Sequence, residues 1–262
     1  MNIQHIYSGK NHRKLIIVFQ AGGIEWYNED LFRNRNRSEE DFQKYTLHLN
    51  QVHNRYNYYK YFLEHNFDVL SIADNFCLSF GWYLLDNKHE IKNQIADFIQ
   101  NFCDLYDKEN IYYFGSSKGA FGALLISSIL KKCRCVISLF PVINPEQFYS
   151  EYEDRIDFRY QLELLKENYS GNKELGRYFE SNINLSNAVP VIAIIGKNEY
   201  LSYRFLKKLN FTSRALVYFD LRETDHSGYL SKVMDIVDYI FENEIYLREI
   251  NQVSFETLNV FK

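Results

Sequence analysis

The sequence predicts an open, mostly parallel α/β sheet flanked by helices, on three observations. Short apolar runs recur along the chain, they are continuous rather than alternating, and stretches of helical periodicity separate them. A run that is apolar at every position suits a strand covered on both faces. Alternation of such strands with helices is the pattern of a parallel sheet with crossover helices.

Six runs predict six strands: 15–19 (LIIVF), 67–73 (FDVLSIA), 111–114 (IYYF), 136–140 (VISLF), 191–195 (VIAII) and 215–219 (ALVYF). Helices are predicted where apolar residues return to one side. In 88–105 these are Ile91, Ile95, Phe98, Ile99 and Phe102; in 227–246 they are Val233, Ile236, Val237 and Ile240. Segment 144–184 interrupts the alternation with charged and aromatic sequence of helical character (PEQFYSEYEDRIDFRYQLELLKENY). It predicts a helical insertion between the fourth and fifth strands, either a lid or an elaborated crossover. No repeat, low-complexity tract or linker divides the chain, so residues 1–262 are expected to form one domain.

Bulk properties narrow the function. A chain of 262 residues can bury a large core, and a hydrophobic fraction of 46% excludes disorder as its main state. A net charge of −4 gives no general basic surface for nucleic acid. Cys133 and Cys135 are too close for a relaxed disulfide, and Cys77 and Cys103 do not complete a zinc-finger spacing. That usage fits a reduced, cytoplasmic protein. The N-terminal MNIQHIYSGKNHRKL lacks a signal peptide's apolar stretch, and no segment approaches the roughly 20 apolar residues that span a bilayer. No His/Asp/Glu spacing suggests a metal site.

One stretch carries chemistry. In YYFGSSKGAFGALL, Gly115-Ser116-Ser117-Lys118-Gly119 matches G-x-S-x-G between a predicted strand and a predicted helix, the context in which that motif holds a nucleophile. Glycines two residues either side let strand and helix pack closely around a strained bend. Ser117 is then the nucleophile and Ser116 a filler. A small-residue turn of no chemical consequence is the competing reading. A phosphate loop is a weaker alternative, because Lys118 is present but the Walker spacing is not.

The partners favour the nucleophile. The chain order of such a triad is Ser, then acid, then His, and His226 is the one histidine after Ser117, in RETDHSGYL beyond the last predicted strand. The acid should follow the preceding strand, where Gly196-Lys197-Asn198-Glu199 supplies Glu199 to orient His226; Asp220 and Asp225 are reserves. An oxyanion hole needs two backbone N–H donors. One is that of Lys118; the other comes from the loop after the first strand, at Ala21 or Gly22 in FQAGG.

These motifs resemble the α/β-hydrolase superfamily. Within it, FGSSKGAFGALL, GKNEY and TDHSGYL are similar to bacterial serine O-acetyltransferases of surface-glycan pathways, including capsule polysaccharide O-acetyltransferases and the accessory-secretion protein that acetylates adhesin glycans. The FGWYLL segment resembles an aromatic stretch of the same group, and the similarity spans roughly residues 15–239. Glutamate at 199 replaces the aspartate of many relatives, and Ala120 stands where a second glycine is frequent.

The resemblance implies an acyl-enzyme on Ser117, with acetyl-CoA as donor, no bound cofactor, and a glycan or polysaccharide acceptor. Glycan-assembly or secretion partners follow from the same resemblance. An esterase would use the same residues with water as acceptor, and a non-catalytic scaffold would keep only the fold. Arg33, Arg35 and Arg37 could hold CoA phosphates or an acidic glycan, or form a solvated basic loop. Trp26, Trp82 and Tyr83 could make a sugar-stacking platform, or pack in the core.

Overall fold

The structure is a computed structural model. It describes residues 3, 5–10, 14–21, 40, 58–73, 81–86, 89–130, 132–152, 154, 156–169, 174–184, 189–196, 215–220, 230–245 and 254–258, with backbone alone for 86, 156, 157, 160, 161, 164, 168, 215–220, 230–234, 236 and 254–258.

The described strands are β1 (His5–Ser8), β2 (Lys14–Phe19), β3 (Asp68–Ile72), β4 (Leu85–Asp86), β5 (His89–Glu90), β6 (Asn110–Ser116), β7 (Cys135–Leu139), β8 (Val191–Gly196), β9 (Ala215–Asp220) and β10 (Ser254–Leu258). Eight of them form one sheet in the order β1-β3-β2-β6-β7-β8-β9-β10, parallel throughout except for β1 against β3. β4 and β5 make a separate two-stranded hairpin. All six predicted strands are present. β1, β4, β5 and β10 were not predicted, being short runs without a sustained apolar core.

The described helices are α1 (Tyr59–Glu64), α2 (Lys92–Leu105), α3 (Lys118–Ile129), α4 (Pro145–Glu151), α5 (Ile156–Asn168), α6 (Leu175–Asn182) and α7 (Leu230–Glu242). They explain the continuous apolar strands. Leu15, Ile17, Phe19, Ile111 and Tyr113 face a core built with α2, α3 and the helices α4–α6. Ile16, Val18, Tyr112 and Phe114 face the opposite core with Phe62 of α1 and Val237 and Ile240 of α7. Alternate residues therefore enter different cores, and each strand is apolar at nearly every position. Within α2, Ile95, Ile99 and Phe102 are buried as the periodicity requires, and Phe98 is partly buried against the same core. Of the α7 stripe, Val237 and Ile240 are buried; the side chains of Val233 and Ile236 lie outside the described residues.

The insertion is helical and is tied together locally. Asn144 caps α4 by accepting from Gln147 N–H at 3.0 Å, with Pro145 at the first helical position. Asn144 Nδ2 also donates to Glu180 Oε1 at 3.0 Å, and Glu146 Oε2 accepts from Gly176 N–H at 2.9 Å, joining α4 to α6.

Two features of the sheet position a site. From β2 the chain crosses to β3 on one side, then returns to β6 on the other. The carboxyl ends of β2 and β6 therefore flank the reversal of strand order, where open α/β sheets place their ligands. Far from that edge, at the amino end of β3, lies a buried ion pair: Lys108 Nζ is 2.6 Å from Asp68 Oδ2, both side chains almost fully buried. Asp68 also accepts from Lys10 N–H at 2.8 Å. Burial and the Asp68 carboxylate push the Tyr7 phenol up to about 12.

Candidate active site

β6 ends at Ser116 and α3 begins at Lys118, so a single residue makes the turn between them. That residue is Ser117, with φ 54° and ψ −118°. A non-glycine residue in that region costs on the order of 1–3 kcal/mol, and such strain persists only where the surroundings impose it. Here they do. Ser117 N–H donates to Leu139 O of the neighbouring strand at 2.8 Å, and Ser117 O accepts from Ala120 and Phe121 N–H at 3.1 and 3.3 Å. Its side chain makes no helix-capping hydrogen bond, so ordinary capping does not account for a serine at this turn.

The flanking glycines show how tightly the turn is held. A Cβ at Gly115 would lie 2.1 Å from Gly119 O; one at Gly119 would lie 2.1 Å from Phe19 O. Phe19 is the register partner of Gly115, so the end of β2 runs directly beside the elbow. The small-residue turn is thus a strained strand–helix junction packed backbone against backbone.

The two adjacent serines are treated differently. Ser116 is buried and hydrogen-bonded to Tyr58, whose ring packs edge-on against Phe114 with centroids 4.9 Å apart. Burial pushes the Tyr58 phenol up to about 12, against the opposing pull of the Ser116 bond. Ser117 is only half-buried. Nothing in the sequence pointed to Tyr58, which lies 58 residues before Ser116 in the chain and outside every motif.

Of the predicted oxyanion donors, Lys118 is the first residue of the twelve-residue α3. Its N–H is one of the first-turn amides that a helix does not use internally, and it stands at the positive end of the helix dipole. Lys118 as a whole is 1% exposed, so its ammonium is enclosed in the protein rather than presented to solvent. Ala21 follows β2 and is partly exposed. Gln20, before it, is anchored by N–H donation to Ile72 O at 3.0 Å.

Glu199, His226, Gly22, Arg33 and Arg35 lie outside the described residues, as do Trp26 and Arg37. The ends of the strands before two of them are described. β8 ends at Gly196, paired with Asp220 at the end of β9, and both strands run parallel to β6. β8 and β9 therefore end at the same edge of the sheet as β6, the edge that bears Ser117. Trp82 requires a correction. Its ring is 1% exposed and packs edge-on against Phe121, Tyr149 and Phe179, with centroids 5.8–6.0 Å apart. It is a core residue between α3 and the insertion and presents no face on which a sugar could stack.

This sheet order, with a strained serine between parallel strand and buried helix at the switch point, defines the α/β-hydrolase fold. The capsule O-acetyltransferase of Neisseria meningitidis serogroup A superposes with a TM-score of 0.62 at 19% identity, over 92% of this chain and 90% of that one. A mutant of that enzyme in complex with CoA gives 0.60 at 20% identity over the same shares. Esterase B from Lactobacillus rhamnosis gives 0.55 at 14% identity, over 91% of this chain and 77% of the esterase. No protein-family model matches the chain, and no curated protein matches it in sequence.

Proposed function

We propose that this chain is a serine-dependent O-acetyltransferase that modifies a bacterial glycan or polysaccharide through an acyl-enzyme on Ser117. The observation that carries the reading is the Ser117 backbone, at φ 54° and ψ −118° between two glycines that admit no Cβ. Strain of that kind is maintained where a hydroxyl must be held out for reaction.

In the proposed reaction Ser117 Oγ attacks the thioester carbonyl of acetyl-CoA while His226 takes the hydroxyl proton. The oxyanion is held by the N–H groups of Lys118 and of Ala21 or Gly22. Collapse breaks the C–S bond, His226 protonates the departing CoA thiolate, and acetyl-Ser117 remains. A sugar hydroxyl then loses its proton to His226 and attacks the ester carbonyl, which returns the proton to Ser117 Oγ. Glu199 orients His226 and stabilises the imidazolium. Arg33 and Arg35 are candidates to hold CoA phosphates or an acidic glycan. The CoA complex of the capsule enzyme supports an acyl-CoA donor, a donor of that kind fits a cytoplasmic reaction, and glycan-assembly or secretion partners belong to the same reading through the resemblance of the motifs. Among the described residues no helix is long and apolar enough to cross a membrane.

A carboxylic-ester hydrolase is the second reading, supported by the esterase of the same fold. Intact-mass measurement of wild type and Ser117→Ala after incubation with acetyl-CoA separates the two. The expected result is one acetyl group on wild type, none on the variant, and loss of the adduct when acceptor polysaccharide is added. Ser117-dependent turnover of p-nitrophenyl acetate without transfer from acetyl-CoA would establish the hydrolase instead. Neither adduct nor Ser117-dependent turnover would end the enzymatic reading.

A further inference from the structure

Tyr83 is fully buried, with its hydroxyl 2.8 Å from Gln20 O and 3.3 Å from Ile72 O. It carries one proton, and the shorter contact is to Gln20. The ring is fixed independently of that bond. It packs edge-on against Phe19 at 5.5 Å, and it lies so close to α3 that a Cβ at Gly122 would come within 2.5 Å of it. Its own backbone has φ 60°, a strained value for an aromatic residue.

The consequence lies one atom further along the chain. The peptide joining Gln20 to Ala21 is planar, and no peptide among the described residues is cis, so Ala21 N–H points opposite to Gln20 C=O. Because the carbonyl is directed into the core at the Tyr83 hydroxyl, the amide is directed out of it, at the carboxyl end of β2. The start of α3 stands against the same place, since Gly119 admits no Cβ beside Phe19 O and Gln20 C. Among the described residues Ala21 N–H has no hydrogen-bond partner.

We infer that Tyr83 is a positioning residue whose hydroxyl sets the direction of the 20–21 peptide and thereby makes Ala21, rather than Gly22, the second oxyanion donor. The inference rests on the acyl-transfer reading. A flipped peptide would present the Gln20 carbonyl to the developing oxyanion, replacing attraction with repulsion. The ring of Tyr83 is core packing; its hydroxyl is the part that acts on the site.

Tyr83→Phe tests this, because it keeps the ring and removes the hydroxyl. Turnover of p-nitrophenyl acetate, normalised to Ser117 sites titrated with a fluorophosphonate, is expected to fall about 10-fold or more, with KM within about twofold of wild type; complete loss of a donor typically costs about 10²–10³. Crystal structures of wild type and Tyr83→Phe should show the 20–21 peptide fixed in the first and reoriented in the second. A merely structural hydroxyl would lower the melting temperature and the number of titratable sites while leaving turnover per site and the peptide unchanged, and that result overturns the inference. Should Tyr83→Phe not fold, Ala21→Pro removes the N–H directly. A per-site rate unchanged by that substitution also overturns the assignment, and a loss of about 10²-fold with KM retained supports it. If wild type itself forms no acyl-enzyme and turns over no ester, the proposed function fails; the pair of crystal structures then still decides whether Tyr83 sets the peptide.

Discussion

Gly119→Ala is the most exacting perturbation of the site. The added methyl would lie 2.1 Å from Phe19 O, 2.9 Å from Phe19 C and 3.0 Å from Gln20 C, whereas real Cβ contacts essentially never fall below 3.0 Å. The obstacle is backbone on both sides, so no side chain can swing aside. Either the first turn of α3 or the end of β2 must withdraw by roughly 1 Å, at a cost of about 1–3 kcal/mol in stability. For a chain of this size that is a melting-temperature loss of about 2–12 °C. The same displacement separates Ser117 and Lys118 from the Ala21 amide. A misplacement of about 1 Å is worth about 10²-fold in rate, or about 2.7 kcal/mol of activation free energy. The assay is turnover of p-nitrophenyl acetate per titrated Ser117 site, alongside thermal unfolding. Loss of rate should exceed anything explained by the unfolded fraction. A Gly119→Ala protein with wild-type rate and wild-type stability would refute the reasoning, because the backbone contact between β2 and α3 could not then be as close as described.

Four further outcomes follow from other parts of the molecule. Lys108→Met should cost about 3–5 kcal/mol by chemical denaturation, since it leaves the Asp68 carboxylate buried without its cation; Asp68→Leu added to Lys108→Met should recover part of that loss. Trp82→Ala should cost about 3–5 kcal/mol, as expected of a ring packed among Phe121, Tyr149 and Phe179; unchanged stability with only a raised acceptor KM would restore it as a sugar platform. Burial pushes the Cys103 thiol up to about 11 and raises that of Cys135 further, so both should resist iodoacetamide at pH 8 in the native protein, as peptide mapping would detect. Because the folded value for Cys103 lies above its ordinary 9.0, its contribution to stability is complete below pH 9 and is lost as pH rises from 9 through about 11; alanine at 103 should flatten that part of a stability-versus-pH curve.

Much of this was legible in the sequence because the relevant physics is local. A strand covered on both faces must be apolar at successive positions, and runs such as LIIVF and VIAII say so without reference to anything distant. The elbow is local too: a strand, a glycine, a serine and a glycine, then a helix. Its two glycines proved to touch the backbone at the predicted places. β1 and β10 were not legible, because HIYS and SFETL owe their strand conformation to the edges they join rather than to their own composition. Glu199, His226, Gly22, Arg33 and Arg35 still rest on their order in the chain and on the resemblance, since they lie outside the described residues.

By itself, then, the sequence determined the layered α/β architecture and singled out Ser117, since periodicity and turn chemistry act over a few residues. Only the tertiary structure decided what each aromatic side chain does. Trp82 and Tyr83 are neighbours in one motif, yet one is enclosed by the insertion helices and the other aims its hydroxyl at Gln20. Tyr58 reaches Ser116, and Lys108 meets Asp68, across comparable stretches of chain. Whether a polar group is stabilising, idle or decisive depends on which distant groups share its low-dielectric surroundings, and packing alone brings those groups together.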